Sequence, residues 1–476
     1  MNKKVRVRFA PSPTGDLHIG GVRTALYNYL FAKLNNGDFI LRIDDTDNAR
    51  SSDQSTQQII NAFKWLNIKF TEGATIGGDY GPYYQSQRTD IYQKNLDILM
   101  NKDLAYPCFL TKDDIDLLKS KAKNEKKDPH FYLGKYRDLD KNKAKELMKS
   151  KPYSVRFKNP NVDVEFYDLV KGHVKFPKNM VGDFIIQRSD KSFVYDYTTV
   201  IDDALMKITH IIRGDDHVNN TSKQLMIYKA FNFDLPKFAH VSLLLNKDGK
   251  KLSKRDNSTS TDLYKRDGYL PQSLNNYLCL LGWSHPDDLT VFDVHKIKSF
   301  SIKRFNSSGA FFDISKLNHI NLQYLKNLNN DDYKAWIKNH LKDSYNTCSI
   351  NFSDNFNMFR KISNDRISNY YDLDNLINDL TNSSKIDLDN IELPIDNNTV
   401  KLMSSMIKDN LMIKSSSYLT SDNVSKLLDK LSKDLNLKGK DLFFPFRAIL
   451  TGVTSGPDLK LLLPLIPINT LLKRID

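Results

Sequence analysis

Cysteine is scarce in this chain. Three among 476 residues, Cys108, Cys279 and Cys348, lie too far apart for a CxxC element and cannot close a disulfide framework, which fits a reducing compartment. Glycine is sparse as well, at 19 residues, which with the hydrophobic content below argues against disorder, collagen and simple linkers. Long apolar runs are missing. The nearest, LLLPLIPI at Leu461–Ile468, is short and broken by two prolines, well under the ~18–20 residues of a membrane span. The opening MNKKVRVRFAPSPTG is basic but has no apolar centre of the kind a signal peptide carries. No solenoid-type repeat is found. A soluble cytoplasmic protein with no membrane partner is expected.

What is present is ample core material: 40% hydrophobic residues, with 26 Phe and 23 Tyr. At ~100–200 residues per domain the length allows two to four domains. Lys and Arg number 70 against 57 Asp and Glu, a formal charge of +13 that fits a nucleic acid or a phosphorylated ligand as partner. The excess is uneven. Residues 1–325 hold 50 basic against 38 acidic side chains, whereas residues 326–476 hold 20 against 19. Long-range attraction of a polyanion is therefore expected from the first two-thirds, and placed contacts from the last.

The N-terminal text alternates strand and helix. VRVRF (Val5–Phe9) has a period of two, PSPTGD interrupts it, and Gly20–Asn36 carries apolar residues at helical spacing. A second strand is predicted at Gly37–Asp45 and a helix around Thr56–Leu66. This order predicts a parallel sheet with crossover helices. From Cys108 to Arg188 the rhythm changes to a Lys-rich stretch followed by short strand-like runs, which reads as an insertion. It returns with SFVYDYTTVIDD, ITHIIRGDD, NNTSKQLMIYKAFN and KFAHVSLLL. After Leu270 a mostly helical text is expected.

Two motifs carry chemistry. PSPTGDLHIGG, Pro11–Gly21, sits where the first strand meets the first helix. A glycine-rich turn opening a helix lets backbone N–H groups and the positive helix end approach phosphate, and the ring of His18 can donate to a phosphoryl oxygen. About 230 residues on, KDGKKLSKRD (Lys247–Asp256) supplies Lys250, Lys251, Lys254 and Arg255 on a glycine-containing loop. Such cations suit a leaving pyrophosphate, where charge develops in the transition state.

With these motifs in place, the sequence resembles the class I aminoacyl-tRNA synthetases, and among them the bacterial-type glutamyl-tRNA synthetases. RFAPSPTGDLHIGGVRTALYNYLFA is similar to that family's first signature and KKLSKR to its second. RIDDTD, GPYYQSQR, VIDD, IIRGDDHVNNT, SLNNYLCLLGW and RAILTG follow in the family's order. The resemblance implies an α/β Rossmann-type parallel-sheet catalytic domain with an inserted α+β acceptor-binding domain, followed by all-α stem and anticodon-binding domains. The expected boundaries are 1–107 and 189–265 for the two catalytic halves, 108–188 for the insertion, 266–325 for the stem contact and 326–476 for the anticodon part.

The implied reaction is activation of L-glutamate by ATP with Mg²⁺, then transfer to the terminal adenosine of tRNA(Glu), first at the 2′-hydroxyl. Charging of tRNA(Gln) is left open, and a monomer is expected. By the same resemblance His18, Gly20 and Gly21 hold the nucleotide, Asp215 and Asp216 lie on its adenosine side, and Lys251 and Lys254 stabilise the departing pyrophosphate. Pro11, Gly21, Lys251 and Arg255 bound the signature motifs. Arg8, Ala10, Ser12, Asp44, Tyr195 and Arg213 are expected around glutamate, with the two guanidiniums taking its carboxylates. Arg366 is placed near an anticodon-reading arginine of relatives.

The chain departs from the family text in three places. Asp44 stands where Glu is usual, one methylene shorter. Gly21 occupies the second histidine position of the class signature. Cys108 is followed by Phe109 and Leu110, and Tyr136 occupies a later ligand position of zinc-binding relatives, so no structural zinc is expected. Three alternatives are disfavoured. About 150 residues after Leu325 argue against a truncated enzyme that glutamylates a tRNA base. Their helical pattern argues against the β-barrel anticodon part of glutaminyl-tRNA synthetases, and the chain length argues against a small-molecule nucleotidyltransferase.

Overall fold

The computed structural model of the chain describes residues 3–15, 17–46, 52–126, 132–252, 260–342, 344–347, 350 and 352–475. They form two compact units, one of residues 1–264 and 274–313 and the other of residues 265–273 and 314–476.

In the first unit, strand β1 (Arg6–Phe9) pairs in parallel with β2 (Asp38–Leu41), in register from Arg6 opposite Asp38 to Phe9 opposite Leu41, and β2 with the short β3 (Glu72–Gly73). β1 is buried at every position, so Val7 and Phe9 pack into core while the two arginines must find partners inside. Helix α1 (Ile19–Leu34) is buried nearly all round, which accounts for its lack of a polar face. Its Asn28 donates to the Ile212 carbonyl at 3.0 Å. Helices α2 (Asp53–Trp65) and α3 (Thr89–Asn101) are amphipathic, each with a single buried stripe.

After α3 come strands β4 (Ala105–Cys108) and β5 (Ser154–Phe157), with helices α4 (Lys112–Asn124) and α5 (Lys141–Ser150) between them, then the hairpin β6 (Val164–Asp168) and β7 (Gly172–Phe176), and β8 (Phe184–Gln187). β4, β5 and β8 make an antiparallel sheet. The hairpin belongs to a different sheet. β6 pairs with β10 (Lys237–Val241), which lies parallel to β9 (His210–Gly214), giving the order β7-β6-β10-β9. Asp168 at the end of β6 accepts the backbone N–H of His240 on β10 at 3.2 Å, and this joins the two segments. β9 runs beside β1, where Thr209 N donates to Arg6 O at 2.9 Å. Between β8 and β9 lies α6 (Tyr195–Leu205), and between β9 and β10 lies α7 (Val218–Phe231).

The expectation of mostly helical structure after Leu270 holds for Pro271–Leu280 and fails for the next thirty residues. There the described chain makes 3₁₀ turns at Val294–Lys296 and Ile302–Arg304, and strand β12 (Ala310–Phe311) lies parallel to β11 (Leu244–Leu245). Pro286, Asp287 and Asp288 break the helical period. An aromatic cluster replaces it as the source of order, with the Phe300 ring 5.5 Å from Tyr27 and 5.1 Å from Trp283.

Beyond Ile314 every regular element among the described residues of the second unit is a helix, with irregular chain over 382–396 and 413–420. Asn329, Asn369, Asp396 and Thr420 each cap a helix through a side-chain oxygen that accepts a backbone N–H, worth ~1 kcal/mol apiece. Leu373, Met403, Ile407, Leu431, Phe446 and Leu471 form part of its fully buried core. Among the described residues no helix of either unit is long and apolar enough to cross a membrane.

Candidate active site

The carboxyl ends of β1 and β9 and the start of α1 surround a cavity of about 630 Å³. β1 runs directly into the PSPTG turn, whose Pro11 carbonyl accepts the Asp44 N–H at 3.0 Å, tying the first motif to RIDD. His18 caps α1: its Nδ1 accepts from Gly20 N at 3.0 Å, so the neutral ring carries its proton on Nε2. A Cβ on residue 20 would come within 3.2 Å of that nitrogen, so glycine two positions after the histidine leaves the capping contact uncrowded. The first turn of α1 holds no acidic side chain, leaving its positive end fit for an anion.

The second motif arrives at the same rim. Leu252 N donates to Leu244 O at 2.8 Å, and the Lys251 ammonium binds Asp216 at 2.7 Å. Where description resumes, Ser260 bridges to His18, and Thr261 donates to Leu17 O from its N–H at 3.2 Å and its hydroxyl at 2.9 Å. Ser260 and Thr261 therefore touch the first motif directly, and Lys251 and Leu252 line the same cavity. Lys254 and Arg255 themselves lie outside the described residues.

A buried ion network holds the floor. Asp203 accepts Arg8 Nε at 3.1 Å and Arg42 Nη1 at 2.6 Å, and Arg42 Nε donates to Asp44 at 2.8 Å. Asp202 takes Arg88 Nε at 2.6 Å and the Tyr92 hydroxyl at 2.8 Å. Burial opposes the charge on Asp203, but Arg8 and Arg42 overcome it and hold its pKa below the usual range. Burial, with Asp202 and Asp203 nearby, pushes Asp44 up to about 6 against the pull of Arg42. Asp203 takes Arg8 by Nε alone, and neither Nη of Arg8 has a hydrogen bond among the described residues.

Arg213, at the end of β9, is built differently. Its Nε donates to His240 Nε2 at 3.1 Å and its Nη2 to the Thr221 hydroxyl at 2.8 Å, while the buried Nη1 has no partner among the described residues. No described carboxylate lies within 4.0 Å, and burial, with the charge of Arg8, lowers the pKa of this guanidinium against the opposing pull of Tyr195 and Asp203. His217 beside it is held near 4 by burial and by the charge of Arg213, and is neutral at pH 7. The cavity lining presents five cationic side chains, Arg8, Arg23, Arg42, Arg213 and Lys251, against two carboxylates, Asp44 and Asp216. That excess suits a polyanionic ligand, with planar guanidiniums matched to carboxylate or phosphate.

Most of the sequence-predicted positions meet there. Arg8, Ala10, Pro11, Ser12, His18, Gly20, Gly21, Asp44, Tyr195, Arg213, Asp216 and Lys251 all line the cavity. Asp215 does not: its carboxylate turns to Lys171 at 2.9 Å. Arg366 belongs to the helical unit, where it is close enough to Arg447 to lower that arginine's pKa, after burial. Arg447 borders a second cavity of about 370 Å³ with Phe443, Phe444 and Lys460. Cys108 is buried in β4, Phe109 packs edge-on against Tyr136 at 5.3 Å, and no group of three or more potential metal ligands occurs among the described residues. Sequence reading left Arg42, Asp202, Asp203, His217, Thr221 and His240 without a role. The acidic doublet of VIDD directly after the apolar Val200 and Ile201 was the available signal.

Residues 4–319 match the family described as tRNA synthetases class I (E and Q), catalytic domain, and residues 364–476 match an anticodon binding domain. The chain is 41% identical to glutamate–tRNA ligase 1 of Caldicellulosiruptor saccharolyticus, over 99% of this chain and 98% of that one. It is 37% identical to the glutamate–tRNA ligase of Bacillus subtilis, over 100% and 99% respectively. Among solved structures, a glutamate tRNA ligase from Elizabethkingia meningosepticum in complex with its amino acid superposes with a TM-score of 0.85 at 31% identity, covering 99% of this chain and 98% of that one. With its two signatures converging on one cation-rich cavity, the chain belongs to the class I tRNA synthetases of the glutamate and glutamine group.

Proposed function

We propose that this chain is a glutamate–tRNA ligase that joins L-glutamate to ATP as glutamyl-adenylate, releasing pyrophosphate, and passes the acyl group to the terminal adenosine of tRNA(Glu). The observation that carries the reading is the pair Arg8 and Arg213, which reach one cavity from adjacent strands; among the described residues Arg213 Nη1 has no partner and Arg8 is hydrogen-bonded through Nε alone. The α-carboxylate oxygen attacks the α-phosphorus as the bond to the bridging oxygen breaks. The ribose 2′-hydroxyl then attacks the acyl carbon and AMP leaves. Both steps depend on positioning and charge stabilisation. Arg213 Nη1 and Arg8 receive glutamate's side-chain carboxylate with Tyr195, while Asp44, Ser12 and the Ala10 backbone receive its amino end. His18 Nε2, Gly20, Gly21 and the α1 N-terminus hold phosphate, Asp216 borders the adenosine side, and Lys251 with Lys254 steadies pyrophosphate.

Mg²⁺ bound through nucleotide oxygens and water needs no protein cage, and Asp216, paired with Lys251 at 2.7 Å, is the carboxylate nearest the second motif among the described lining residues; when bound the ion would neutralise phosphate charge. Residues 108–188 are assigned to the acceptor arm, 266–325 to the stem and 326–476 to the anticodon, with Arg366 and Arg447 near the bases they read. The enzyme works as a cytoplasmic monomer without structural zinc, and first attachment is at the 2′-hydroxyl. The test is ATP–pyrophosphate exchange with glutamate, with and without tRNA, followed by separate charging of purified tRNA(Glu) and tRNA(Gln). Glutamate-dependent exchange that requires tRNA supports the reading. Adenylation of another acid without tRNA would defeat it.

A further inference from the structure

Arg213 owes its position to a pair of residues from two other strands. The His240 side chain is fully buried on β10, and so is that of Asp168 at the end of β6. Asp168 Oδ2 lies 2.6 Å from His240 Nδ1, and His240 Nε2 lies 3.1 Å from Arg213 Nε. An arginine Nε can only donate, so His240 Nε2 must accept, and the ring proton must sit on Nδ1, pointing at Asp168. The other carboxylate oxygen of Asp168, Oδ1, accepts the N–H groups of Val170 at 2.9 Å and Lys171 at 3.0 Å. Asp168 Oδ2 also accepts the His240 backbone N–H at 3.2 Å, and the Thr221 hydroxyl lies 3.3 Å from His240 Nε2; neither contact alters the ring tautomer that the Arg213 Nε–H imposes.

We infer that Asp168 and His240 are positioning residues for glutamate selection: by locking His240 in the Nδ1–H form they give Arg213 a neutral acceptor at Nε and leave Nη1 for the substrate carboxylate. The inference rests on the proposed function and deepens it. A carboxylate in the place of His240 would hold Arg213 as firmly but would cancel the charge that attracts the ligand. An imidazole passes the orienting effect of Asp168 without its full charge, and the surrounding Phe166 and Phe238 rings keep water from competing.

Asp168→Asn keeps Oδ1 for the Val170 and Lys171 donors and replaces Oδ2 by an NH₂ group, leaving the His240 backbone N–H only its 3.3 Å contact with Oδ1. That group forces His240 Nδ1 to accept, moves the proton to Nε2 and sets two donors face to face at Arg213. The expected result is a shift of the His240 ¹⁵N signature from the Nδ1–H to the Nε2–H form, with glutamate KM in tRNA-supported exchange raised at least tenfold and ATP KM and kcat within twofold. His240→Gln, which offers an amide oxygen in place of Nε2, keeps glutamate KM within about threefold and rescues Asp168→Asn. An unchanged tautomer, an unchanged glutamate KM, or equal rises for glutamate and ATP would overturn the inference. Should Asp168→Asn not fold, His240→Gln and His240→Met carry the test: a tenfold higher glutamate KM in the Met variant supports the inference and equal values refute it. The ¹⁵N readout needs no activity. A wild type lacking glutamate-dependent exchange would therefore strike the proposed function, while the tautomer would still judge the lock.

Discussion

Replacing Arg213 by Ala separates binding chemistry from fold. In the substrate-free chain this guanidinium is buried, has no described counter-ion within reach and keeps Nη1 unbonded. Its removal relieves the cost of burying a charge but takes away the hydrogen bonds to His240 Nε2 and the Thr221 hydroxyl; these two groups lie 3.3 Å apart and can pair with each other, so the expense falls at the low end of about 1–3 kcal/mol. The two effects oppose each other, so the thermal midpoint should stay within a few degrees. With glutamate bound, the balance changes: truncating one partner of a buried, hydrogen-bonded charge pair costs about 2–5 kcal/mol. At ~1.4 kcal/mol per factor of ten this is roughly a thirtyfold to several-thousandfold loss in kcat/KM for glutamate. The assay is tRNA-supported ATP–pyrophosphate exchange over a wide range of glutamate, with ATP saturation measured in parallel. ATP KM should hold. A folded variant whose glutamate KM lies within threefold of wild type would refute the assignment of side-chain recognition to Arg213.

Other perturbations address the surrounding groups. Asp203→Ala leaves Arg8 and Arg42 buried without the carboxylate they share, and should cost about 3–5 kcal/mol in urea unfolding of the first unit; Asp203→Asn should cost less. Asp44, lifted to about 6, must be ionised to hold an ammonium. Exchange at limiting glutamate should therefore climb between pH 5 and 7 with a midpoint near 6, and Asp44→Asn should flatten that rise. The corresponding stability effect has the opposite sign: a carboxyl whose folded pKa is raised contributes stability below its unfolded value near 4, and this is lost as pH passes through about 6. Lys254→Ala should reduce kcat of exchange by about 10²–10³ with little change in tRNA affinity, as measured by single-turnover activation and filter binding. Elemental analysis of the purified chain should find no stoichiometric zinc.

The parts of the molecule visible in the text are those whose signals are local. The switch from VRVRF through PSPTG to an apolar-periodic run marks β1, the turn and α1 to within a few residues, because strand period, turn chemistry and helix period all change in one short stretch. The cluster of lysines in KKLSKR is likewise self-announcing. What could not be read depends on distant contacts. Asp168 sits 72 positions from His240, and its value lies in the β6–β10 pairing that no local pattern encodes. Asp202 and Asp203 look like an exposed acidic doublet until Arg8, Arg42 and Arg88 close over them from three other segments. The stretch after Leu281 lost its expected helices because aromatic packing around Trp283 and Phe300 replaced periodicity as the organising force.

The most direct measurement is a crystal structure of the full chain with L-glutamate and a non-hydrolysable ATP analogue. The γ-carboxylate should lie within hydrogen-bonding distance of Arg213 Nη1 and of Arg8, with nucleotide phosphate oxygens at His18 Nε2 and the start of α1. Glutamate bound away from both guanidiniums, or nucleotide phosphates on a surface remote from His18, would contradict the account.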